Sequence, residues 1–409
     1  MGNIIKNIFN NHLYAMSLYA RQIAGTFVLL LVVRFLSVYD YGLFASYNQI
    51  AATCLMIANL GYAEYILVSS QKNVRDVQLK IGLFIGFAVV VLLSILCISG
   101  FVNLESRLIF ALVAIRSFFD LTFLGLMLPY YQASERFDLI SYINIFYSVM
   151  TILFALICYI FNLGLIQFLL LGIALGIFNF IQCTYYAKIN YILVLKHLKE
   201  FIKKIDKSIL IYAGSSLVFF FYNKIPSVYV ATFIQKEEAA LFFAAFTISN
   251  IISILLQAQY QKMIPEMIKA PVSIIKKIIK NNLIFMMTIN FILLIIFALI
   301  GEQILIILYS KEFYMKALPY LLLLTLGNIF ISFASVFGAF MTASGYQNLK
   351  LKIMSIASVV TLLSLFVFHK LGLFAAVISF VISASFMAIT YCINGIKILH
   401  RKQEEENND

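Results

Sequence analysis

The sequence contains no tryptophan, only four histidines and few charges: 12% of its 409 residues are Asp, Glu, Lys or Arg. A soluble domain of this length carries about twice that charged fraction, so an ordinary soluble fold is excluded. Without tryptophan, the interfacial aromatic belt is left to 24 Tyr and 39 Phe. The histidines (His12, His197, His369 and His400) all flank apolar runs. No nucleophile–base pair or phosphate-cradling glycine loop is visible, so no catalytic residue is assigned. The five cysteines (Cys54, Cys97, Cys158, Cys183 and Cys392) each sit inside an apolar run. They read as packing residues; no Cys/His spacing suits a metal, and no cofactor is expected. No small-residue cleavage site follows Lys6 and the first apolar run, which reads as a retained helix.

What is present is apolar: 63% of the residues, with a mean hydropathy of +0.98. Most of the runs reach the roughly 20 residues needed to cross the hydrocarbon core as helix. In lipid, backbone groups must be satisfied internally, which leaves helices or closed barrels. Barrel strands alternate in polarity; these runs are continuously apolar, so they are helices. The spans run Leu13–Leu36, Tyr41–Val68, Ile81–Phe101, Leu108–Leu128, Leu139–Phe161 and Leu163–Tyr186. They continue Ile209–Phe233, Ala239–Tyr260, Leu283–Ile300, Leu318–Met341, Ile353–Phe368 and Leu373–Ile396. Ile304–Leu308 is too short to cross and reads as interfacial. The expected fold class is therefore an all-α polytopic membrane protein of about 12 transmembrane helices.

The net charge of +12 could suggest nucleic acid, but the basic residues lie in short loops between spans. With the N-terminus cytoplasmic, 21 of the 30 Lys and Arg fall on the inner side and 5 on the outer. That asymmetry places both termini in the cytoplasm, with membrane lipids rather than nucleic acid as neighbours. The densest basic loop holds Lys188, Lys196, Lys199, Lys203, Lys204 and Lys207, a topology anchor beside anionic lipid. It divides the chain into an N-terminal lobe (1–187), a linker (188–207), a C-terminal lobe (208–396) and a tail (397–409).

The two lobes show traces of duplication. Phe35-Leu-Ser-Val-Tyr-Asp-Tyr-Gly-Leu-Phe44 aligns with Phe233-Ile-Gln-Lys-Glu-Glu-Ala-Ala-Leu-Phe242, each between the first two spans of its half. Gln132-Ala133-Ser134 matches Thr342-Ala343-Ser344, each after a fourth span. Six spans per half give both halves one orientation, so a pseudo-twofold along the membrane normal is expected, as in parallel-repeat transporters.

At these same residues the chain resembles the polysaccharide (O-antigen) flippases of the multidrug/oligosaccharidyl-lipid/polysaccharide exporter superfamily. The resemblance rests on Arg34-Phe-Leu-Ser-Val-Tyr-Asp-Tyr-Gly42-Leu-Phe44, Asn59-Leu-Gly61-Tyr-Ala63 and Gln132-Ala-Ser-Glu-Arg136-Phe137. Leu308-Tyr-Ser-Lys311-Glu312-Phe313 and Ala343-Ser-Gly345-Tyr-Gln347 extend it across nearly the whole chain. It implies two six-helix lobes, alternating access, and export of an undecaprenyl-pyrophosphate-linked sugar unit across the bacterial inner membrane. It also implies neighbouring polysaccharide-assembly membrane proteins as partners. The chain departs from many relatives in the seventh span, where Tyr222-Asn223-Lys224-Ile225-Pro226 stands in place of an acid.

Ionisable residues inside spans cost about 2.5–3.5 kcal/mol each on insertion scales and need a reason. Arg21 lies inside the first span, with Ser17 and Gly25 one turn to either side. Lys224 lies in the seventh, beside Asn223 and before Pro226, which loosens the helix. Arg21, Arg116, Lys224 and Asn223 are the expected substrate-binding residues, lining a cationic cavity between lobes for a pyrophosphate. Arg116 and Asp120 share a helix face at i, i+4 and read either as a self-neutralising pair or as a substrate cation beside a coupling carboxylate. Asp120 and Glu64 are the candidates for ion coupling. Arg34 and Asp40 read as a structural loop pair.

Two further readings compete. A multidrug or cation antiporter on this scaffold should carry acids, whereas these mid-span charges are three cations and one acid. A flippase for another lipid-linked precursor is closer in chemistry. A membrane polymerase needs a sizeable outer domain, and the longest outer loop expected here, Gly301–Ala317, is short.

Overall fold

The computed structural model describes residues 2–59, 88–94, 104–122, 127–133, 136–187, 218, 224–250, 263–264, 266–268, 270–309 and 312–408. Among these residues there is no strand. In the first half the helices are α1 (Gly2–Phe35), α2 (Val38–Asn59), α3 (Leu104–Thr122), α4 (Leu128–Ala133), α5 (Phe137–Ile160) and α6 (Leu165–Ala187). In the second they are α7 (Lys236–Ser249), α8 (Val272–Tyr309), α9 (Leu318–Ala343), α10 (Gln347–Phe368) and α11 (Leu373–Asn408). The chain forms two compact units, Met1–Leu217 and Val218–Asp409. The basic linker 188–207 lies outside the described residues.

Six of the described segments are long and apolar enough to cross a membrane, including α5, α6, α8 and α10. In the second unit, α9 packs against α8, α10 and α11. The most apolar window of Glu312–Ala343 is 61% buried inside the protein, against 17% for α8, so α9 is the unit's central helix and α8 is largely exposed. Glycines let neighbours approach α9 closely: a Cβ on Gly327 would lie 2.4 Å from Phe380, and on Gly395, facing α9, 2.5 Å from Phe337. Lipid is as apolar as leucine, so close van der Waals packing at small residues holds such helices together. The first unit is organised by α1 on α5, α2 on α3 and α3 on α6.

Backbone geometry repeats between the halves. Leu36 N–H bonds to Val32 O and Tyr41 N–H to Ser37 O; 198 residues on, Ile234 N–H bonds to Val230 O and Ala239 N–H to Gln235 O. At the second sequence match the spacing is 210. Arg136 N–H bonds to Tyr131 O and Ile140 N–H to Arg136 O, mirrored by Tyr346 to Met341 and Lys350 to Tyr346. A third equivalence, which the sequence comparison missed, joins the turns after α5 and α10. Asn162 and Gly372 both adopt positive φ (49° and 58°), and their N–H groups bond to Tyr159 O and His369 O. The two turns share a position and a hydrogen-bond pattern but not one backbone geometry, because Gly372 has ψ −122°, outside the left-handed helical well that asparagine tolerates.

Several boundaries differ from expectation. Ile304–Leu308 is not a separate interfacial piece: α8 runs on to Tyr309 past a non-helical residue, Ile300 (φ −129°). The stretch expected as the outer loop Gly301–Ala317 is thus largely helical, closing with a 3-10 turn over Glu312–Ala317. α11 continues through the charged tail to Asn408. There Glu406 accepts the Val272 N–H at 3.3 Å and Gln403 accepts Lys276 Nζ at 2.7 Å, so the tail caps the start of α8.

Candidate functional site

The first unit buries a connected polar cluster between α1, α3 and α5. Arg21 (α1) donates Nη1 to Asn144 Oδ1 at 3.1 Å, and Asn144 Nδ2 donates to Ser17 Oγ at 3.4 Å. Three residues on, the Tyr147 ring lies under the Arg21 guanidinium, 4.4 Å from Cζ to centroid. The Tyr147 hydroxyl donates to Asp120 Oδ1 on α3. The other Asp120 oxygen lies 3.8 Å from Arg116 Nε, one turn earlier on the same helix. Among the described residues, one connected set therefore holds two guanidiniums and one carboxylate. Ser117 Oγ adds a 3.3 Å bond to Asn48 on α2.

Arg116 sits in an aromatic slot, its guanidinium 4.6 Å from the Phe168 centroid and 5.6 Å from Phe44. Cation–π attraction strengthens when desolvated, and the Arg116 side chain is only 14% exposed. Gly172 on α6 makes room for it: a Cβ there would lie 2.9 Å from Nε. Arg116 Nη1 is buried with no hydrogen-bond partner among the described residues. An orphaned donor on a cation marks a place where another group belongs.

In the second unit Lys224 lies within helix and is half-buried, and no ion pair or hydrogen bond to it occurs among the described residues. Ser227, one turn on and 1% exposed, has a hydroxyl with no partner among the described residues. Nearby, Lys236 lies just outside the span and donates Nζ to Ala231 O at 2.8 Å, closing that helix; burial lowers its pKa.

The structure therefore joins three of the expected residues, Arg21, Arg116 and Asp120, into one cluster. Arg116 and Asp120 form the expected i, i+4 pair, and Asp120 is shared with Tyr147. By the 198-residue spacing Lys224 corresponds to Thr26 rather than to Arg21. Five residues along a helix turn a side chain by about 140°, so Lys224 is not the duplicate of Arg21. Asn223 and Glu64 lie outside the described residues. Asp40 accepts Ser37 Oγ at 2.6 Å while its N–H donates back to Ser37 Oγ at 3.0 Å, a reciprocal cap on α2.

Asn144 and Tyr147 were not singled out from the sequence. A signal existed: Ser141, Asn144 and Ser148 recur at helical spacing within an apolar run, and all three are buried. At the 210-residue spacing the second unit has Met354 and Ala357 where Asn144 and Tyr147 stand, so these two polar partners are not duplicated.

No protein-family model and no curated protein matches the chain. Solved structures do. An inward-facing multidrug resistance MATE family transporter of the MOP superfamily matches with TM-score 0.68 and 14% identity, over 94% of this chain and 96% of the other. An outward-facing structure of such a transporter matches with TM-score 0.59 and 14% identity, over 97% and 96%. A MOP superfamily transporter from Pyrococcus furiosus matches with TM-score 0.60 and 13% identity, over 97% and 96%. Identity this low speaks for the fold alone: the chain is a multi-pass membrane protein with the all-α fold of MATE-type transporters of the MOP superfamily.

Proposed function

We propose that the chain is a flippase moving an undecaprenyl-pyrophosphate-linked oligosaccharide, an O-antigen or capsule repeat unit, across the bacterial inner membrane. The observation that carries this reading is the sign of the buried charge. The first-unit cluster holds two cations to one acid, with a guanidinium donor left over, and Lys224 adds a cation with no acid beside it among the described residues. A buried excess of positive charge is expensive unless an anion arrives to share it. A pyrophosphate suits guanidinium forks, while the prenyl tail stays in lipid. Alternating access fits a fold known in both inward-facing and outward-facing conformations. The Pyrococcus furiosus transporter is described by the reverse polarity of its binding pocket and a different function. That precedent supports a pocket of unusual sign on this scaffold. Membrane lipids and other polysaccharide-assembly membrane proteins are its proposed neighbours, with both termini cytoplasmic.

The test is flipping of a fluorescent undecaprenyl-pyrophosphate disaccharide in proteoliposomes. Arg21→Ala combined with Lys224→Ala is expected to lower the rate at least about tenfold; full activity in the double variant sinks the cationic reading. Multidrug antiport is the second reading, favoured by the description of two neighbours as multidrug transporters. Against it, the cluster's one carboxylate is already engaged by Tyr147 and Arg116. Drug efflux by the wild-type chain without flipping would decide for that reading.

A further inference from the structure

Arg116 and Asp120 face each other one turn apart, their side chains 14% and 28% exposed, an arrangement in which a guanidinium and a carboxylate can close into a pair at about 2.7–2.9 Å. They stand instead at 3.8 Å, with Nη1 of Arg116 buried and unpartnered among the described residues. The cause is visible on the opposite side of the carboxylate, where the Tyr147 hydroxyl holds Oδ1. Tyr147 is itself held, because its ring is the platform on which Arg21 rests. Arg116 in turn is drawn the other way, into the space left by Gly172 between Phe168 and Phe44.

We propose that Tyr147 is a positioning residue that restrains Asp120 and keeps the Arg116–Asp120 pair open, reserving an Arg116 donor for a phosphate of a prenyl diphosphate. Asp120 is then a resident competitor for the substrate anion, and Tyr147 keeps that competitor in check. The inference rests on the flippase reading and names the atoms that would meet its headgroup. Its signature is coupling: the Tyr147 hydroxyl should matter to anion binding only while residue 120 carries a carboxylate. A scaffold role would give the same loss whatever stands at position 120.

The experiment is calorimetric titration of the purified full-length chain in detergent with farnesyl pyrophosphate, with farnesol as the uncharged control. Tyr147→Phe keeps the ring under Arg21 and removes only the hydroxyl; it is expected to weaken farnesyl pyrophosphate about tenfold and to leave farnesol unchanged. Asp120→Asn is expected to bind the diphosphate at least as tightly as wild type, and adding Tyr147→Phe to it should change little. The proposal is overturned if Tyr147→Phe binds like wild type, or if the double variant loses as much relative to Asp120→Asn as Tyr147→Phe loses relative to wild type. Should Tyr147→Phe fail to fold, Asp120→Asn alone decides, because weaker diphosphate binding by it contradicts a resident competitor. Wild-type chain that prefers farnesol overturns both this inference and the flippase reading, whereas wild-type binding without the coupling overturns this inference alone.

Discussion

Arg116 is admitted on the α6 side by the absence of a side chain at Gly172. A methyl group there would meet Nε at 2.9 Å and Cζ at 3.3 Å, so the guanidinium must leave its contact with Phe168 or swing toward Asp120. A guanidinium tip moves more readily than a helix backbone, and the expected loss is functional more than structural. Gly172→Ala should lower the flipping rate roughly tenfold, about 1.4 kcal/mol of barrier, while the melting temperature moves by no more than a few degrees. Unchanged flipping would show that the position of Arg116 is immaterial. At this scale the charges were readable from sequence, because Arg21, Arg116, Asp120 and Lys224 stand out in apolar runs. Of their uncharged partners, Asn144 left a trace in the helical spacing of Ser141, Asn144 and Ser148, and Tyr147 left none. Tyr147 is one of 24 tyrosines in a chain where aromatic residues serve interfaces and packing alike, and nothing local distinguishes it.

At the scale of the element, the glycines of the second unit carry the prediction. Phe380 fills the space over Gly327, with Cε1 at 2.4 Å and Cδ1 at 2.7 Å from where a Cβ would be, and it is itself 8% exposed. Gly327→Ala improves helix propensity by up to about 1 kcal/mol, but overpacking a filled interface costs about 1–3 kcal/mol. The second term wins. The expected outcome is a fall in the detergent melting temperature of about 2–6 °C; a rise would mean that α9 and α11 are less tightly packed than these distances imply. Spans were legible as elements because length and continuous hydropathy suffice to define them. Their ends were less so: α8 passes its break at Ile300 and α11 runs through Glu404, Glu405 and Glu406. Helix can continue outside the apolar region wherever tertiary contacts hold it, as Glu406 and Gln403 do at the start of α8.

Over the whole molecule the duplication is the organising fact, and it has a topological consequence. The turns at Asn162 and Gly372 occupy equivalent positions and share a hydrogen-bond pattern, and in a parallel repeat equivalent turns face the same side. In a cysteine-free background, Asn162→Cys and Lys370→Cys should both react with a membrane-impermeant maleimide from outside intact cells. A cysteine replacing Asp409 should react only after permeabilisation. Opposite sidedness of the two turns would refute the parallel repeat.

The sequence by itself determined that this chain crosses a membrane many times and as two related halves, and it set the expected orientation. Those properties follow from one-dimensional quantities: the length of apolar runs, the side on which Lys and Arg fall, and the spacing of matching segments. Only the tertiary structure decided which side chains meet. Whether Tyr147 reaches Asp120 depends on how α1, α3 and α5 are rotated about their axes. That rotation is set by packing contacts summed along whole helices, with gaps such as Gly172 and Gly176 admitting Arg116 and Phe119. An apolar run tolerates every rotation almost equally until its neighbours are in place. The pairing that leaves Arg116 with a spare donor is therefore written across several helices and in no single one.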